Sequence, residues 1–237
     1  MQAYEKFLAT QQRKYDGIRA AGSKVRAQGL RLDPALTARN GCASIALSHP
    51  APIAQSAEEF SRAIAGAVPA LVYTAKDIHT TLCSGKTTAD FFPRRRAGEL
   101  RRELYGLARV AVSVLESLQP GGVRINFTDY IHTDAVAMMA GRPDKGYVGL
   151  ICGLVEAAKK AGLEVYPAID AHVTVSRFTA DVSGDKLDAF LELMRRAPPG
   201  VSVPEILHVG YSHWDAESPD TTNGHFSPYY SFRFSAF

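Results

Sequence analysis

Residues 77–82 read DIHTTL and residues 170–175 read DAHVTV. Both fit Asp-x-His-x-Thr-apolar, and the histidines stand 172 − 79 = 93 residues apart. Side chains alternate faces along an extended strand. His79 and Thr81 therefore share one face, His172 and Thr174 share another, and Leu82 and Val175 turn toward a core. Each strand presents one imidazole and one hydroxyl, ~6–7 Å apart along the chain at ~3.3 Å per residue. A phrase written twice at this interval predicts two similar half-sites.

Around each copy the same order of elements is expected: a helix, the strand with the phrase, a second helix, a pair of strands. In the first half, SAEE (56–59) reads as a capping box in which Ser56 and Glu59 close the first turn of a helix running to about Val68. Residues 97–118 predict the longest helix, with Leu100, Leu104, Leu107, Ala111, Val114 and Leu118 at helical spacing, ended by QPGG. VRINFTDYI (123–131) alternates Val123, Ile125 and Phe127 with Arg124, Asn126 and Thr128, the pattern of a half-buried strand, and AVAMMAG (135–141) follows as its partner. In the second half, a helix over 147–161 stops at Gly162. The motif strand 171–178 comes next, then a helix marked by Leu187, Phe190, Leu191 and Met194, and strands near 203–213 and 228–234. Ahead of both halves, CASIALSH (42–49) is a strand and 3–20 a helix. The expected fold class is α+β: a bilobal pseudo-twofold duplication with two antiparallel sheets flanking a central groove and helices outside. The expected division is an N-terminal helical extension over 1–40, a first lobe over 41–145 and a second over 146–237, with 41–237 one bilobal domain.

Composition narrows the function classes. The 237 residues are 46% apolar and 22% charged, an ordinary globular balance. A net charge of +3 suits a small anionic substrate and does not suit stable coating of DNA. Three scattered cysteines, Cys42, Cys83 and Cys152, make no disulfide framework and no CxxC. No stretch approaches the ~18 apolar residues of a membrane span, and the first residues lack a signal-peptide core. A cytoplasmic protein with no membrane partner is expected. CSGKTT (83–88) is not a phosphate loop, because residue 80 is threonine where the first glycine belongs.

Two imidazoles and two hydroxyls around one phosphorus form a coherent catalytic set. One histidine takes a proton from water or a hydroxyl, its twin protonates the departing oxygen, and an unperturbed pKa of ~6.5 permits both states near neutrality. The threonine hydroxyls donate to the non-bridging oxygens. The pair HTTL and HVTV resembles the two H-x-T/S-apolar motifs of the 2H phosphoesterase superfamily, the RNA-ligase-like cyclic phosphodiesterases. YPAIDAHVTVSRF (166–178) is similar to that family's second-motif strand, including an arginine three residues after the threonine, here Arg177. The resemblance runs from about residue 41 to 237. It implies catalysis by His79, Thr81, His172 and Thr174, with no metal and no cofactor. The implied substrate is a nucleotide or RNA-end phosphodiester, a cyclic phosphate in particular. Thr80 departs from the pattern, where an apolar residue is usual, and residues 1–40 have no assigned counterpart.

Further candidates for substrate binding are Arg177, Arg124, Tyr130 and Tyr230. On a strict period Arg177 faces away from Thr174, and only a bulge or strand end returns it to a phosphate. Arg124 and Tyr130 are candidates for the groove wall. Tyr230 is one of several C-terminal aromatics able to stack on a base. Asp77 and Asp170 either orient the imidazoles or open a turn. PRRRAGELRR (93–102) is a basic approach for a polyanion or a solvated face. Two alternatives stay open: a metal-dependent phosphohydrolase using the Asp-x-His pairs, and a non-catalytic module that binds a nucleotide or RNA end. Oligomeric state has no sequence signal.

Overall fold

A computed structural model of the chain describes residues 2–37, 41–85, 97–116, 122–213 and 225–234. In chain order the elements are α1 (Gln2–Gln28), α2 (Pro34–Thr37), β1 (Gly41–Ser48), α3 (Ala51–Ala67), β2 (His79–Ser84), α4 (Ala97–Leu115), β3 (Ile125–His132), β4 (Val136–Pro143), α5 (Lys145–Lys160), β5 (Tyr166–Pro167), β6 (Ala171–Arg177), α6 (Asp185–Leu193), β7 (Val201–Ser202), β8 (Ile206–His213) and β9 (His225–Arg233). Two antiparallel sheets result, ordered β5-β2-β1-β8-β9 and β6-β4-β3-β7.

The repeat is carried by strand–helix–strand–helix–strand units, β1-α3-β2-α4-β3 and β4-α5-β6-α6-β8. It begins one strand earlier than the expected helix-first order. In each unit the first strand pairs with the motif strand, β1 with β2 and β4 with β6. The third strand is exchanged: β3 pairs with β4 of the other unit, and β8 with β1. Each sheet therefore draws strands from both sides of residue 145. This exchange ties the two halves by backbone hydrogen bonds as well as by packing.

Local chemistry explains the elements and two departures from expectation. Along α4, Leu104, Leu107, Ala108, Ala111 and Val114 fall on one stripe and are all buried. Fully burying a leucine-sized side chain contributes roughly 1.5–3 kcal/mol. The longest helix is nevertheless α1, at 27 residues. It was invisible as such because its buried residues are few and partly polar: Gln11, Tyr15 and Val25. Helix α3 starts at Ala51 with Pro50 at its N-cap and no side-chain cap, so SAEE lies inside the helix. Pro52 sits in the first turn, where its missing N–H is no loss. The polar groups of α3 instead hold the segment ahead of β2. Ser61 Oγ accepts from the Tyr73 N–H at 2.8 Å, and Glu58 Oε2 from the Ala75 N–H at 2.8 Å.

One apolar core runs through both sheets. Thr80, the departure from the family pattern, points into it with no exposure. Its hydroxyl is satisfied by His49 Nε2 at 3.0 Å, while His49 Nδ1 meets Ser202 Oγ of the other sheet at 2.8 Å. Burial holds His49 neutral, with its pKa pushed down to about 3. No described helix is long and apolar enough to cross a membrane.

Candidate active site

Strand register decides which side chains share the site. On β2, His79 lies opposite Ser48 and Thr81 opposite Ala46; the pairing then slips, Leu82 is the extra residue, and Cys83 lies opposite Ile45. On β6, His172 lies opposite Ala140 and Thr174 opposite Met138; the pairing slips, Val175 is the extra residue, and Ser176 lies opposite Ala137. Both motif strands thus carry a β-bulge three residues after the histidine. A bulge shifts the alternation by one. Arg177, opposite Val136, returns by this means to the face of His172 and Thr174. Ser84 occupies the matching place on β2. Cys83 and Ser176 turn into the core instead of continuing the histidine face.

The two motif strands meet. Tyr147 of α5, fully buried, donates its hydroxyl to the Thr81 carbonyl at 3.3 Å and the Asp170 carbonyl at 3.2 Å, joining one strand to the other. The charge of His172 bears on His79. All four residues of the two His-x-Thr pairs are half-buried.

The two histidines are backed differently. Nδ1–H of His79 donates to the Asp77 carbonyl at 2.6 Å, which leaves Nε2 as the acceptor. Its ring lies against Phe226, centroids 4.7 Å apart. Burial pushes its pKa down to about 4, outweighing the pull of Asp77, and the neighbouring His172 and His208 add to the depression. Nδ1–H of His172 donates to the Asp170 carboxylate at 3.0 Å. Asp170 is 3% exposed, and its Oδ2 also meets Lys14 Nζ at 3.0 Å. Burial opposes its ionisation, yet His172 and Lys14 together hold its pKa down to about 2. The orienting carboxylate read from the sequence thus exists at His172 only. The Asp77 carboxylate accepts from the Thr74 hydroxyl at 2.5 Å and the Phe226 N–H at 3.3 Å.

Of the further candidates, Arg177 is on the histidine face but engaged: it forms an ion pair with Asp33 and donates to the Tyr73 hydroxyl at 3.1 Å. Arg124 is exposed just before β3, which β4 separates from β6. Two assignments are corrected. Tyr130 is core: a bulge at Thr128 shifts its parity to that of Phe127, and its ring stacks on Phe60 of α3 at 3.7 Å. Tyr230 lies opposite Val209, a core residue, so it belongs to the face away from His79. Sequence reading gave no catalytic or substrate-binding role to the residues on the site face of β8 and β9. His208 lies opposite Ala46, level with Thr81, and meets Ser231 Oγ at 2.8 Å. Phe226 lies opposite Ser212. A count of alternating positions along β8 from Leu207 would have placed His208; nothing local marked Phe226.

Residues 2–37 gain a place. On the site face of the second sheet, Tyr15 and Ile18 of α1 pack against Ile131, Met138 and Ala140, and Arg19 forks onto Asp129 at 2.9–3.1 Å. The segment after α1 bridges Leu30 to Val182 and supplies Asp33 to Arg177. The basic run and CSGKTT lie partly outside the described residues.

This fold is shared with solved structures of E. coli LigT. The apo form matches with a TM-score of 0.51 and 14% identity over 82% of this chain and 98% of that one. The complex with ATP matches at 0.50 and 14% over 83% and 99%, and the complex with 3′-AMP gives the same values. The α+β architecture of two antiparallel sheets with helices is therefore that of LigT, the fold that the 2H phosphoesterase resemblance implies. No protein-family model matches the sequence, and no curated protein matches it.

Proposed function

We propose that this protein is a 2H-type phosphodiesterase that hydrolyses a nucleotide or oligonucleotide phosphodiester, a cyclic phosphate in particular, without a metal. The observation that carries the reading is the meeting of two His-x-Thr strands whose imidazoles are backed unequally. Support also comes from the LigT fold, since LigT has been solved with 3′-AMP and with ATP.

The unequal backing supports one division of roles. His79, neutral with a free Nε2, is the base: it takes a proton from the attacking water as the new P–O bond forms. His172, held by the Asp170 carboxylate, is the acid: it delivers its Nε2 proton to the departing oxygen as the old P–O bond breaks. Thr81 and Thr174 donate to the non-bridging oxygens. Water and diester become a phosphomonoester and a free hydroxyl, and the histidines reset by proton exchange with solvent. Each proton carrier is worth ~10²–10⁴ in rate. Arg177, tethered to Asp33, adds positive charge at the Thr174 end of the same face.

The test is a panel of 2′,3′-cyclic mononucleotides, 3′,5′-cyclic nucleotides, cyclic dinucleotides and cyclic-phosphate-ended RNA, assayed in EDTA beside His79→Ala and His172→Ala. Turnover that survives EDTA and is lost in both variants is the expected result. Activity abolished by EDTA would point to the metal-dependent alternative, against which Asp77 and Asp170 already stand committed to other partners. Tight nucleotide binding with no turnover of any member would make the protein a binding module.

A further inference from the structure

Helix α1 reaches the second half-site at two points one turn apart. Gln11, 4% exposed, accepts the Ala171 N–H on its Oε1 at 2.8 Å. Lys14 Nζ meets Asp170 Oδ2 at 3.0 Å, the same oxygen that takes the His172 Nδ1–H at 3.0 Å. The backbone and the carboxylate that set His172 are therefore both gripped from α1. Among the described residues no cation shares a carboxylate with His79, which is held by the carbonyl of Asp77, just ahead of its strand, and by Phe226.

We infer that Lys14 is a positioning residue: by sharing one carboxylate oxygen with His172, it sets how strongly Asp170 holds that imidazole, and makes α1 a working part of the site. The groups facing this cluster are Asp170 on the strand's own approach, Lys14 and Tyr15 from α1, Tyr147 from α5 and His79 from β2. Lys14 is the cation among them beside the shared oxygen. A buried carboxylate divided between two donors pulls less on each. With Lys14 removed, Asp170 would lean wholly on His172 and favour its protonated form, while the lysine's own repulsion of that form would vanish. Both effects have the same sign.

The experiment compares the full-length parent with Lys14→Met, Lys14→Gln and Lys14→Arg. The fraction of His172 carried as imidazolium is read from its ring-nitrogen NMR shifts at one pH, with thermal melts to verify folding. At a pH where the parent holds both forms, the ratio of imidazolium to neutral ring is expected to rise at least about twofold in Met and Gln, and to return to the parental value in Arg. An unchanged or smaller fraction in either folded variant overturns the inference. In kinetics, which rest on the phosphodiesterase reading, the alkaline limb of the rate on a 2′,3′-cyclic nucleotide moves to higher pH in Lys14→Gln. If the parent hydrolyses no phosphodiester, that reading fails while the ring-nitrogen comparison still decides the role of Lys14.

Discussion

The two Asp-x-His pairs look equal as letters and differ as chemistry, and that difference makes the first prediction. Asp170 touches its histidine with the carboxylate; Asp77 touches its histidine with the backbone. Asp170→Asn retains an acceptor oxygen but removes the charge that stabilises an imidazolium, so kcat on a cyclic nucleotide is expected to fall about tenfold or more. Asp77→Asn leaves the Asp77 carbonyl on His79 and loses part of the bonds to Thr74 and Phe226. Its cost is expected in stability, about 1 kcal/mol, with kcat near parental. Equal losses of kcat in the two variants would sink the division of roles. A second consequence concerns pH. Because burial pushes His79 down to about 4, the base stays free well below the ordinary histidine range. The acid limb of kcat/KM should lie near pH 4–5 instead of 6.5, and a limb at 6.5 would show that His79 is not the base.

At the scale of elements, what brings the half-sites together is Tyr147 and the exchange of strands. Tyr147→Phe removes the one hydroxyl that bridges the Thr81 and Asp170 carbonyls in a fully buried setting. A loss of about 1–3 kcal/mol in stability is expected, seen as a lowered denaturant midpoint with unchanged m. A concurrent drop in kcat is expected because the strand spacing is no longer fixed. Stability falling with kcat untouched would mean that Tyr147 only fills space. This bridge was not legible in the sequence: Tyr147 opens a helix far from either motif, and only the fold makes it central. The motif strands themselves were legible, because apolar alternation and a repeated phrase are local signals. Their bulges were not. A bulge adds one residue without altering composition: those of the motif strands moved Arg177 onto the site face and Cys83 and Ser176 into the core, and the one in β3 moved Tyr130 onto Phe60. The N-terminal helix was legible as a helix but not as a neighbour of His172. The grip on Ala171 and Asp170 is made by Gln11 and Lys14, residue types that usually face water, so apolar periodicity did not mark it, although Tyr15 and Ile18 of the same helix pack on the neighbouring strands.

Over the whole molecule, the sheets are joined at their centre by a polar link, Thr80 to His49 to Ser202, as well as by hydrocarbon. A buried neutral histidine has a cost in acid. Unfolded, His49 and His79 take protons near pH 6.5; folded, burial holds them down to about 3 and about 4. Between those limits the unfolded chain binds more protons than the native one, so stability is full above pH 6.5 and falls as pH drops toward 3. His132 and His208, also depressed by burial, act in the same direction. Asp170 adds its own loss from about 3.8 down to about 2, as its native partners are forfeited. Each unmatched proton contributes about 1.4 kcal/mol per pH unit. A urea-melt series from pH 8 to pH 4 should therefore show stability declining steadily below 6.5, well before carboxylates titrate. His49→Gln keeps a donor and an acceptor for Ser202 and Thr80 but cannot take up the proton. Its stability at pH 7 should be lower than the parent's, and its decline below pH 6.5 should be shallower by about one proton's worth. An identical slope in parent and variant would show that His49 is protonated in the native core, and the neutral link between the sheets would have to be abandoned.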